Sequence, residues 1–230
     1  MVAEVLVSLS EKVKPGISTR ELDQIAEGIM KKRKVLPAFK GYRGYSATLC
    51  TSINEEVVHG IPSERCLEEG DIIGIDCGVI FEGYYGDSAR SLPVGKVSSE
   101  AKKLLEVTQE SLNRGLAQVV NGNRVHDISW AVQSWGEENG FSIVRDFVGH
   151  GIGRQLHEEP QVPNFGEPHT GQRLATGIVL AIEPMLNCGG PEVVILDDGW
   201  TVVTKDKRLS AHFEDTIALT ENGPEILTRL

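Results

Sequence analysis

The segment GDIIGIDCGVIFEGYYGD, from Gly70 to Asp87, constrains the fold of this chain more than any other. Its apolar residues predict a buried strand over 71–81 and a second strand over 84–94, with Glu82-Gly83 as the turn of a hairpin. Asp76 lies in the middle of the first apolar run. Because an unpaired carboxylate is strongly disfavoured in apolar surroundings, Asp76 requires a proton, a partner or a metal ion.

Asp87 creates the same requirement in the second strand. It follows Asp76 by eleven positions, an odd number, so strict alternation of side chains does not place both carboxylates on one face. If both face the same side, we expect a loop or a bulge to absorb the difference. Two carboxylates side by side repel each other unless a cation bridges them.

Three more titratable residues lie beside apolar runs. Glu183 occurs in IVLAIEPML, Glu214 in SAHFEDTIAL, and His150 in FVGHGIG, where the glycines allow close approach. Each residue alone fits an ordinary role, such as a turn cap, a solvent-facing acid or a core histidine. Together, four carboxylates and one imidazole suit Mn²⁺, Fe²⁺, Co²⁺ or Zn²⁺. Four acids would nearly neutralise two dications, so the set favours a two-metal hydrolytic site.

Helix signals occur in three places. A capping-box pattern over residues 18–21 predicts a helix, a second helix begins at Ser98 or Ser99 and stops at Asn121-Gly122, and a third spans 125–139. The further strand-like runs are 47–53, 177–183, 192–196, 200–204 and 212–220. No linker or low-complexity segment separates these elements.

A faint internal repeat relates the two parts of the chain. GDIIGID (70–76) resembles GIVLAIE (177–183), and each places a carboxylate six positions after a glycine. A similar offset relates the helix after Gly16 to the helix after Gly122. We therefore expect two related halves, about 1–118 and 119–230, that each contribute acids to a shared centre.

The net charge, the cysteines and the N-terminus limit which partners and which cellular compartment fit this chain. The formal net charge is −10, which disfavours nonspecific nucleic-acid binding. The four cysteines form no CxxC pair, so a zinc knuckle has no support and a reducing compartment is the simplest inference. The N-terminus lacks a signal-peptide pattern, and no apolar run reaches the length of a membrane span. We expect a cytoplasmic protein without membrane or direct nucleic-acid partners.

A series of motifs resembles a known family over essentially the whole chain. The motifs are VKPGIST, GYRGYSATLCTSINEEVVHGIP, GDIIGIDCGV, GYYGDSAR, GHGIGRQLHEEPQVPNF, IEPM and HFEDT. They resemble the type I methionine aminopeptidases of the pita-bread metallopeptidase family. The resemblance implies an α+β pita-bread fold, in which a pseudo-twofold pair of halves forms a curved antiparallel sheet covered by helices. It also implies that residues 1–230 are a single catalytic domain.

The resemblance assigns a cofactor of two divalent ions (Co, Mn, Fe or Zn). Matched motif by motif, the metal ligands are Asp76, Asp87, His150, Glu183 and Glu214. In the family pattern Asp87 and Glu214 bridge the two ions, and Asp76 holds one ion with both of its oxygens.

The resemblance also assigns the catalytic and substrate-binding residues. Glu183 would shuttle the proton of the attacking water, His157 would stabilise the oxyanion, and His59 would contact the substrate near the leaving nitrogen. The positions that would surround the methionine side chain are Tyr42, Tyr45, Cys50 and Trp200, with Phe39 and Leu156 nearby. Aromatic faces and a thiol suit a thioether.

The function that the resemblance implies is removal of the initiator methionine from nascent proteins whose second residue is small. The partners would be the N-terminal peptides of nascent proteins. Ribosome docking would fit this activity, although the loop GGPEVVILDDG is acidic and offers no basic platform. A monomer is the family default.

Two features depart from the family pattern. Where the family usually has AQFEHT, this chain has His212 and Asp215 around Glu214. Asp215 therefore adds a negative charge or an alternative ligand, and metal preference stays open. The segment VAEVLVSLSEKVKPG also resembles only the second half of the family's first helix, so we expect a shortened helix that leaves apolar surface open.

Two other functions stay open. An Xaa-Pro peptidase would use the same fold and ligands, but that group usually has an additional N-terminal domain, and only 75 residues precede Asp76. A pita-bread protein that binds partners without catalysis would typically have lost ligands, whereas all five are present here.

Overall fold

The computed structural model describes residues 1–230 as helices and strands joined by short loops. The helices are α1 (Val2–Ser10), α2 (Thr19–Arg33), α3 (Ser99–Leu116) and α4 (Val125–Glu138), and a 3₁₀ turn spans Tyr42–Gly44. The strands are β1 (Leu36–Pro37), β2 (Leu49–Ile53), β3 (Glu56–Val58), β4 (Ile72–Phe81), β5 (Tyr84–Pro93), β6 (Ser142–Ile143), β7 (Gly149–Gly151), β8 (Glu158–Val162), β9 (Val179–Ile182), β10 (Met185–Asn187), β11 (Val193–Ile195), β12 (Val202–Thr204), β13 (Ser210–His212), β14 (Glu214–Thr220) and β15 (Gly223–Ile226).

Nine of these strands form one antiparallel sheet. Its central path is β1-β4-β5-β14-β9-β7-β8, with β2 beside β4 and β15 beside β14. Two three-stranded sheets, β13-β10-β6 and β11-β12-β3, complete the fold. The path places the β4–β5 hairpin of the first half directly beside β14 and β9 of the second half, so strands distant in sequence are joined at the centre of the sheet.

The β4–β5 hairpin corrects the expectation about Asp76 and Asp87. Its turn has only two residues, Glu82 (φ 51°) and Gly83 (φ 82°), both in the left-handed region, as is common in tight hairpins. Asp87 lies opposite Gly78, which shares a face with Asp76. Across a two-residue turn, directly opposed residues are always an odd number of positions apart. An odd separation therefore puts both carboxylates on one face, and the predicted loop or bulge was wrong.

The helix predictions differ from the structure mainly at the ends. The capping box of α2 is present: the Ser18 hydroxyl accepts from the Glu21 N–H (3.2 Å), and the Glu21 carboxylate accepts from the Ser18 N–H (2.8 Å). Helix α3 ends at Leu116, before the predicted stop at Asn121-Gly122. The chain turns there instead, and the Asn123 side-chain amide donates to the Gln118 carbonyl (3.0 Å).

The predicted strand over 212–220 is two strands in two sheets. β13 pairs with β10, whereas β14 pairs with β5 and β9. The change occurs at Phe213, which is buried. An apolar sequence pattern does not indicate which neighbouring strand a residue pairs with. The sequence therefore could not show that residues 212–220 belong to two different sheets. The other predicted strands lie within two residues of those observed.

Backbone hydrogen bonds at the start of α2 recur at the start of α4. The Gly16 N–H donates to the Leu67 carbonyl, and the Gly122 N–H donates to the Leu174 carbonyl. An isolated β-bridge lies beside each of these bonds, with the same spacing in both places. The recurrence agrees with two similar halves, and the boundaries 1–118 and 119–230 stay a prediction.

The packing of the helices determines which face of the sheet is free. Residues of α1 and α2 form one apolar cluster with the odd-numbered residues of β4, namely Ile73, Ile75, Cys77 and Val79. A second cluster joins α3 and α4 to β9 and β14. Because side chains alternate along a strand, Asp76 points to the opposite face from the one that these helices cover. None of the helices combines the length and the apolar character needed to cross a membrane.

Candidate active site

Strand register brings three of the predicted carboxylates together on the face that the helices leave free. Asp76 lies opposite Ala89 across the β4–β5 ladder, and Glu214 lies opposite the same residue across the β5–β14 ladder. Asp87 is two positions before Ala89 on β5 and shares its face. Asp76, Asp87 and Glu214 therefore converge from three adjacent strands.

The same register adds the predicted histidine and the fourth acid. His150 pairs with Ala181 across the β7–β9 ladder, and Ala181 pairs with Thr216 on β14. Thr216 is two positions after Glu214, so all of these side chains share one face. Glu183 follows Ala181 by two positions and lies just after β9. Its carboxylate Oε1 is 3.6 Å from His150 Nε2.

The distances within this group suit a shared ion. Ligand atoms of Asp87, His150 and Glu214 all lie within 4.8 Å of one another. All three residues are buried, and Glu214 is 2% exposed. Asp76 and Glu183 are partly buried beside them. The five residues predicted as ligands are thus brought to one place by the fold.

Three of the carboxylates each have one oxygen without a partner in the protein. Asp76 Oδ1, Asp87 Oδ1 and Glu214 Oε1 are buried and accept no hydrogen bond from any group of the chain. Burial raises the pKa of Asp87 to about 7. The pKa values of Asp76, Glu183 and Glu214 are raised well above their usual range by burial and, secondly, by repulsion from Asp87. Buried acids without partners are expensive unless a cation compensates them, and oxygen donors with one imidazole suit a first-row divalent metal.

Glycines on both sides of His150 allow the strand to enter this crowded centre. A Cβ atom at Gly149 would collide with the Ala181 carbonyl, and a Cβ atom at Gly151 would collide with the Glu159 carbonyl. Burial lowers the pKa of His150, so its imidazole is neutral at pH 7. A neutral imidazole is the form that binds a metal.

An apolar cavity of about 280 Å³ opens beside the carboxylates. All of the positions expected around the substrate side chain line it, and these are Phe39, Tyr42, Tyr45, Cys50, Leu156 and Trp200. The Tyr45 hydroxyl donates within the protein, where the Leu49 and Gly60 carbonyls both lie 3.0 Å away. Its ring meets Trp200 edge to face, with ring centroids 5.0 Å apart. Tyr45 and Trp200 therefore form a fixed aromatic wall.

The two predicted catalytic histidines also line the cavity. His157 lies beside His150, with ring centroids 4.3 Å apart, and its Nδ1 is 2.8 Å from the Tyr42 hydroxyl. Burial lowers the pKa of His157 to about 4, with a further contribution from His150. His59 has a left-handed backbone (φ 62°), uncommon for a residue with a side chain, and its ring packs edge to face on Phe147.

Sequence reasoning missed several lining residues. Phe147 and Val148 precede His150 in the motif that was quoted for the histidine, and Arg43 lies between the two predicted tyrosines. The only indication in the sequence was that these residues are adjacent to residues assigned to the site. Apolar and basic residues near turns usually have no chemical role, so this adjacency alone does not predict that they line a cavity.

Asp215 is not an alternative ligand, and that expectation was wrong. It lies opposite Ile182 and Ser88, on the helix-covered side of β14, with no exposed area. Its carboxylate accepts from Arg90 Nη2 (2.6 Å) and Arg229 Nε (2.8 Å). The negative charge is therefore paired away from the cavity. His212 is buried with its Nε2 4.0 Å from Glu214 Oε2, so it does lie beside a candidate ligand.

Comparisons with known proteins agree with the geometry. A family model described as metallopeptidase family M24 matches residues 1–221. A methionine aminopeptidase from Clostridium perfringens (strain 13 / Type A) is 54% identical over 228 residues, which are 99% of this chain and 92% of the relative. The crystal structure of methionine aminopeptidase from Thermotoga maritima is 46% identical with a TM-score of 0.98, over 100% of this chain and 92% of that chain.

A more distant structure shares the fold alone. The prolidase from Pyrococcus horikoshii OT3 is 24% identical with a TM-score of 0.78, and the match covers 99% of this chain but 58% of the prolidase. The prediction of a pita-bread fold, a curled antiparallel sheet with helices, is confirmed by these likenesses.

Proposed function

This chain belongs to metallopeptidase family M24, and we propose that it removes the N-terminal methionine from polypeptides whose second residue is small. The observation that carries the proposal is the group of buried carboxylates with unpartnered oxygens at the edge of an apolar cavity. The acids supply a place for a hydrolytic metal centre, and the cavity supplies a place for one apolar side chain.

The residues that would hold the metal are those on the free face of the sheet. They are Asp76, Asp87, His150, Glu183 and Glu214, and the proposal is for two divalent ions among them, with Co, Mn, Fe and Zn as candidates. When bound, such ions supply Lewis-acid chemistry, since they polarise a carbonyl and make water more acidic.

Glu183 is proposed as the proton shuttle. Its carboxylate lies 3.6 Å from His150 Nε2 at the boundary between the acids and the cavity. In the metal-free protein, burial and repulsion from Asp87 raise its pKa. It would take a proton from the attacking water and deliver that proton to the amine that leaves.

His157 is proposed to stabilise the negative oxygen that develops on the carbonyl. Its imidazole is neutral at pH 7 because its pKa is about 4. The Tyr42 hydroxyl lies 2.8 Å from Nδ1. In the proposed arrangement it donates to Nδ1, which places the single ring proton on Nε2, where it is available to the substrate oxygen. His59, on the same cavity, would contact the substrate backbone near the leaving nitrogen.

The cavity is proposed to select methionine. Its aromatic wall of Tyr42, Tyr45 and Trp200, with the Cys50 thiol, suits an unbranched, polarisable thioether. Burial raises the pKa of Cys50 well above its usual range. The thiol is therefore neutral at physiological pH and contributes as a small soft contact and not as a nucleophile.

We further place this activity in one catalytic domain spanning 1–230, in a monomer that meets the N-terminal peptides of nascent proteins in the cytoplasm. The net charge of −10 opposes contact with ribosomal RNA, so the emerging peptide is the expected point of contact if the enzyme works at the ribosome. Size-exclusion chromatography and co-sedimentation with translating ribosomes test these points.

The deciding experiment compares two peptides with the same enzyme. Protein supplied with Co²⁺, Mn²⁺ or Fe²⁺ is expected to release methionine from Met-Ala-Ser and to leave the proline peptide Phe-Pro-Ser, which does not begin with methionine, intact. Cleavage of only the proline peptide would replace the proposal with an Xaa-Pro peptidase. If neither peptide is cleaved although metal analysis shows bound ions, the chain is a binding protein. Glu183→Gln is the matched inactive control.

A further inference from the structure

Arg43 is the only lysine or arginine among the residues that line the cavity. Its side chain is exposed and forms no ion pair with any carboxylate of the chain. The guanidinium lies over the ring of Tyr42, with Cζ 5.3 Å from the ring centroid. Its charge is therefore held at the mouth of the cavity and is free to meet a ligand.

The backbone fixes this position. Arg43 adopts φ 48° and ψ 25° inside the short 3₁₀ turn, between Gly41 (φ 92°) and Gly44 (φ 90°). A left-handed conformation is uncommon for a residue with a side chain, and such residues cluster where function constrains the backbone. The two glycines allow the turn, and the turn directs Arg43 beside Tyr42.

A short chain of contacts joins Arg43 to the reaction centre. The guanidinium covers the Tyr42 ring, the Tyr42 hydroxyl is 2.8 Å from His157 Nδ1, and His157 lies beside His150. An extended peptide advances about 3.3–3.6 Å per residue. A polypeptide whose first peptide bond lies at His157 would pass Arg43 after about two further residues, which is where its third side chain lies.

We infer that Arg43 is a specificity-determining residue that favours an acidic side chain at the third position of the substrate polypeptide. The inference rests on the proposed aminopeptidase function and adds a subsite to it. The first side chain occupies the apolar cavity and the second is small, so the third is the earliest that can bring a charge to Arg43. A carboxylate is the chemical partner of a guanidinium, and at an exposed position the gain is modest.

The test uses three amidated peptides, Met-Ala-Asp-Ser, Met-Ala-Ser-Ser and Met-Ala-Lys-Ser, and the enzymes wild type, Arg43→Gln and Arg43→Glu. Amidation removes the terminal carboxylate, which would otherwise mimic an acidic side chain. The readout is the ratio of kcat/KM for the aspartate peptide to that for the lysine peptide. Because the protein carries a net charge of −10, long-range attraction favours lysine in every variant, so the change of the ratio between variants is decisive.

We expect the ratio to fall about threefold from wild type to Arg43→Gln and by a similar factor again to Arg43→Glu. The change should lie in KM, and it should shrink at high salt, since exposed charges are screened. Arg154→Glu is the matched control: Arg154 also stacks on a tyrosine, Tyr84 (4.9 Å), but does not line the cavity. Its ratio should equal that of the wild type.

An equal ratio in the wild type and both Arg43 variants would overturn the inference, and so would an equal shift in Arg154→Glu. Methionine release from Met-Ala-Ser-Ser by the wild type distinguishes a failure of the Arg43 subsite from a failure of the proposed aminopeptidase function. If the wild type cleaves this peptide and the ratios do not change, only the role of Arg43 fails. If the metal-loaded wild type cleaves none of the three peptides, the proposed function itself fails.

Discussion

Glu214 and Asp215 are neighbours in β14, yet their carboxylates lie on opposite faces of the sheet and in opposite chemical states. Glu214 Oε1 is buried on the cavity face without a hydrogen-bond partner. Asp215 is fully buried on the other face, where it accepts from Arg90, from Arg229 and from the Thr228 hydroxyl (2.7 Å). The alternation of side chains along β14 alone separates the Glu214 carboxylate, which needs a cation, from the Asp215 carboxylate, which is already paired with two arginines.

The pairing of Asp215 predicts a stability effect. Asp215→Asn leaves Arg90 and Arg229 beside a neutral amide, and Arg90 is only 21% exposed. Breaking a buried ion pair from one side is costly, so we expect the free energy of unfolding to fall by about 3 kcal/mol. Urea denaturation of the two proteins measures it. Glu100→Gln, which removes an exposed ion pair with Arg208, should cost less than about 1 kcal/mol; equal losses would contradict the assignment.

The raised pKa of Asp87 predicts a pH-dependent difference in the metal-free protein. In the folded state this pKa is about 7, above the ordinary 3.8. The folded state therefore holds the proton more tightly, and the stability linked to it is present below about pH 4 and lost as the pH rises through 7. Asp87→Asn mimics the protonated form. Its stability relative to metal-free wild type should rise between about pH 4 and pH 7 and level off above that.

Thermal unfolding of both proteins after chelation, repeated across that pH range, measures this difference. The buried histidines titrate in both proteins, so their contribution cancels in the comparison. Addition of Mn²⁺ or Co²⁺ at pH 7.5 should make the wild type more stable than Asp87→Asn, because the wild type gains a bound cation whereas the variant has lost a ligand. A difference that does not vary with pH would show that Asp87 is not destabilised by burial.

The contact between Tyr42 and His157 predicts a kinetic effect. Tyr42→Phe keeps the ring in the cavity wall but removes the hydroxyl that is 2.8 Å from Nδ1. His157 could then place its proton on either nitrogen, so we expect kcat on Met-Ala-Ser to fall by about tenfold, with a smaller change in KM. Tyr84→Phe removes a hydroxyl that binds Arg154 outside the cavity. If both variants lose the same activity, Tyr42 does not orient His157.

The candidate site could be predicted from the sequence largely because a carboxylate within an apolar run indicates a buried charge that requires a partner. Asp76 and Glu183 interrupt apolar runs, and the cost of a buried carboxylate demands a partner wherever the strand lies. The convergence of these acids with His150 followed from the family motifs. The face that each acid occupies depended on the length of the β4–β5 turn, and there the reasoning from alternation alone failed.

The remaining differences come from long-range packing. The division of the chain at Phe213 between two sheets depends on which ladders lie alongside, and that is decided by strands far away in sequence. The position of Asp215 depends on Arg90 and Arg229, which approach it from different elements. Local pattern contains neither piece of information, whereas the helix starts are set by adjacent residues such as Ser18 and could be predicted.

A pair of glycines on β4 gives the sharpest test of how the sheet supports the cavity. A Cβ atom at Gly78 would lie 2.6 Å from Phe39 Cε1 and 2.8 Å from Ala38 Cβ, whereas at Gly74 its nearest neighbour would be Ser91 Oγ at 3.5 Å. Both glycines share the face of Asp76. Gly78→Ala must therefore displace Phe39, which lines the cavity.

We expect Gly78→Ala to lower the free energy of unfolding by about 1–3 kcal/mol through overpacking and to raise KM for methionyl peptides, because the Phe39 ring is pushed toward the cavity. Gly74→Ala should be neutral or stabilising by up to about 1 kcal/mol, since alanine restricts the unfolded chain and meets only ordinary contacts. Urea denaturation and Met-Ala-Ser kinetics on both variants measure these effects. Equal behaviour of the two would mean that Phe39 moves freely and that β4 does not set the size of the cavity.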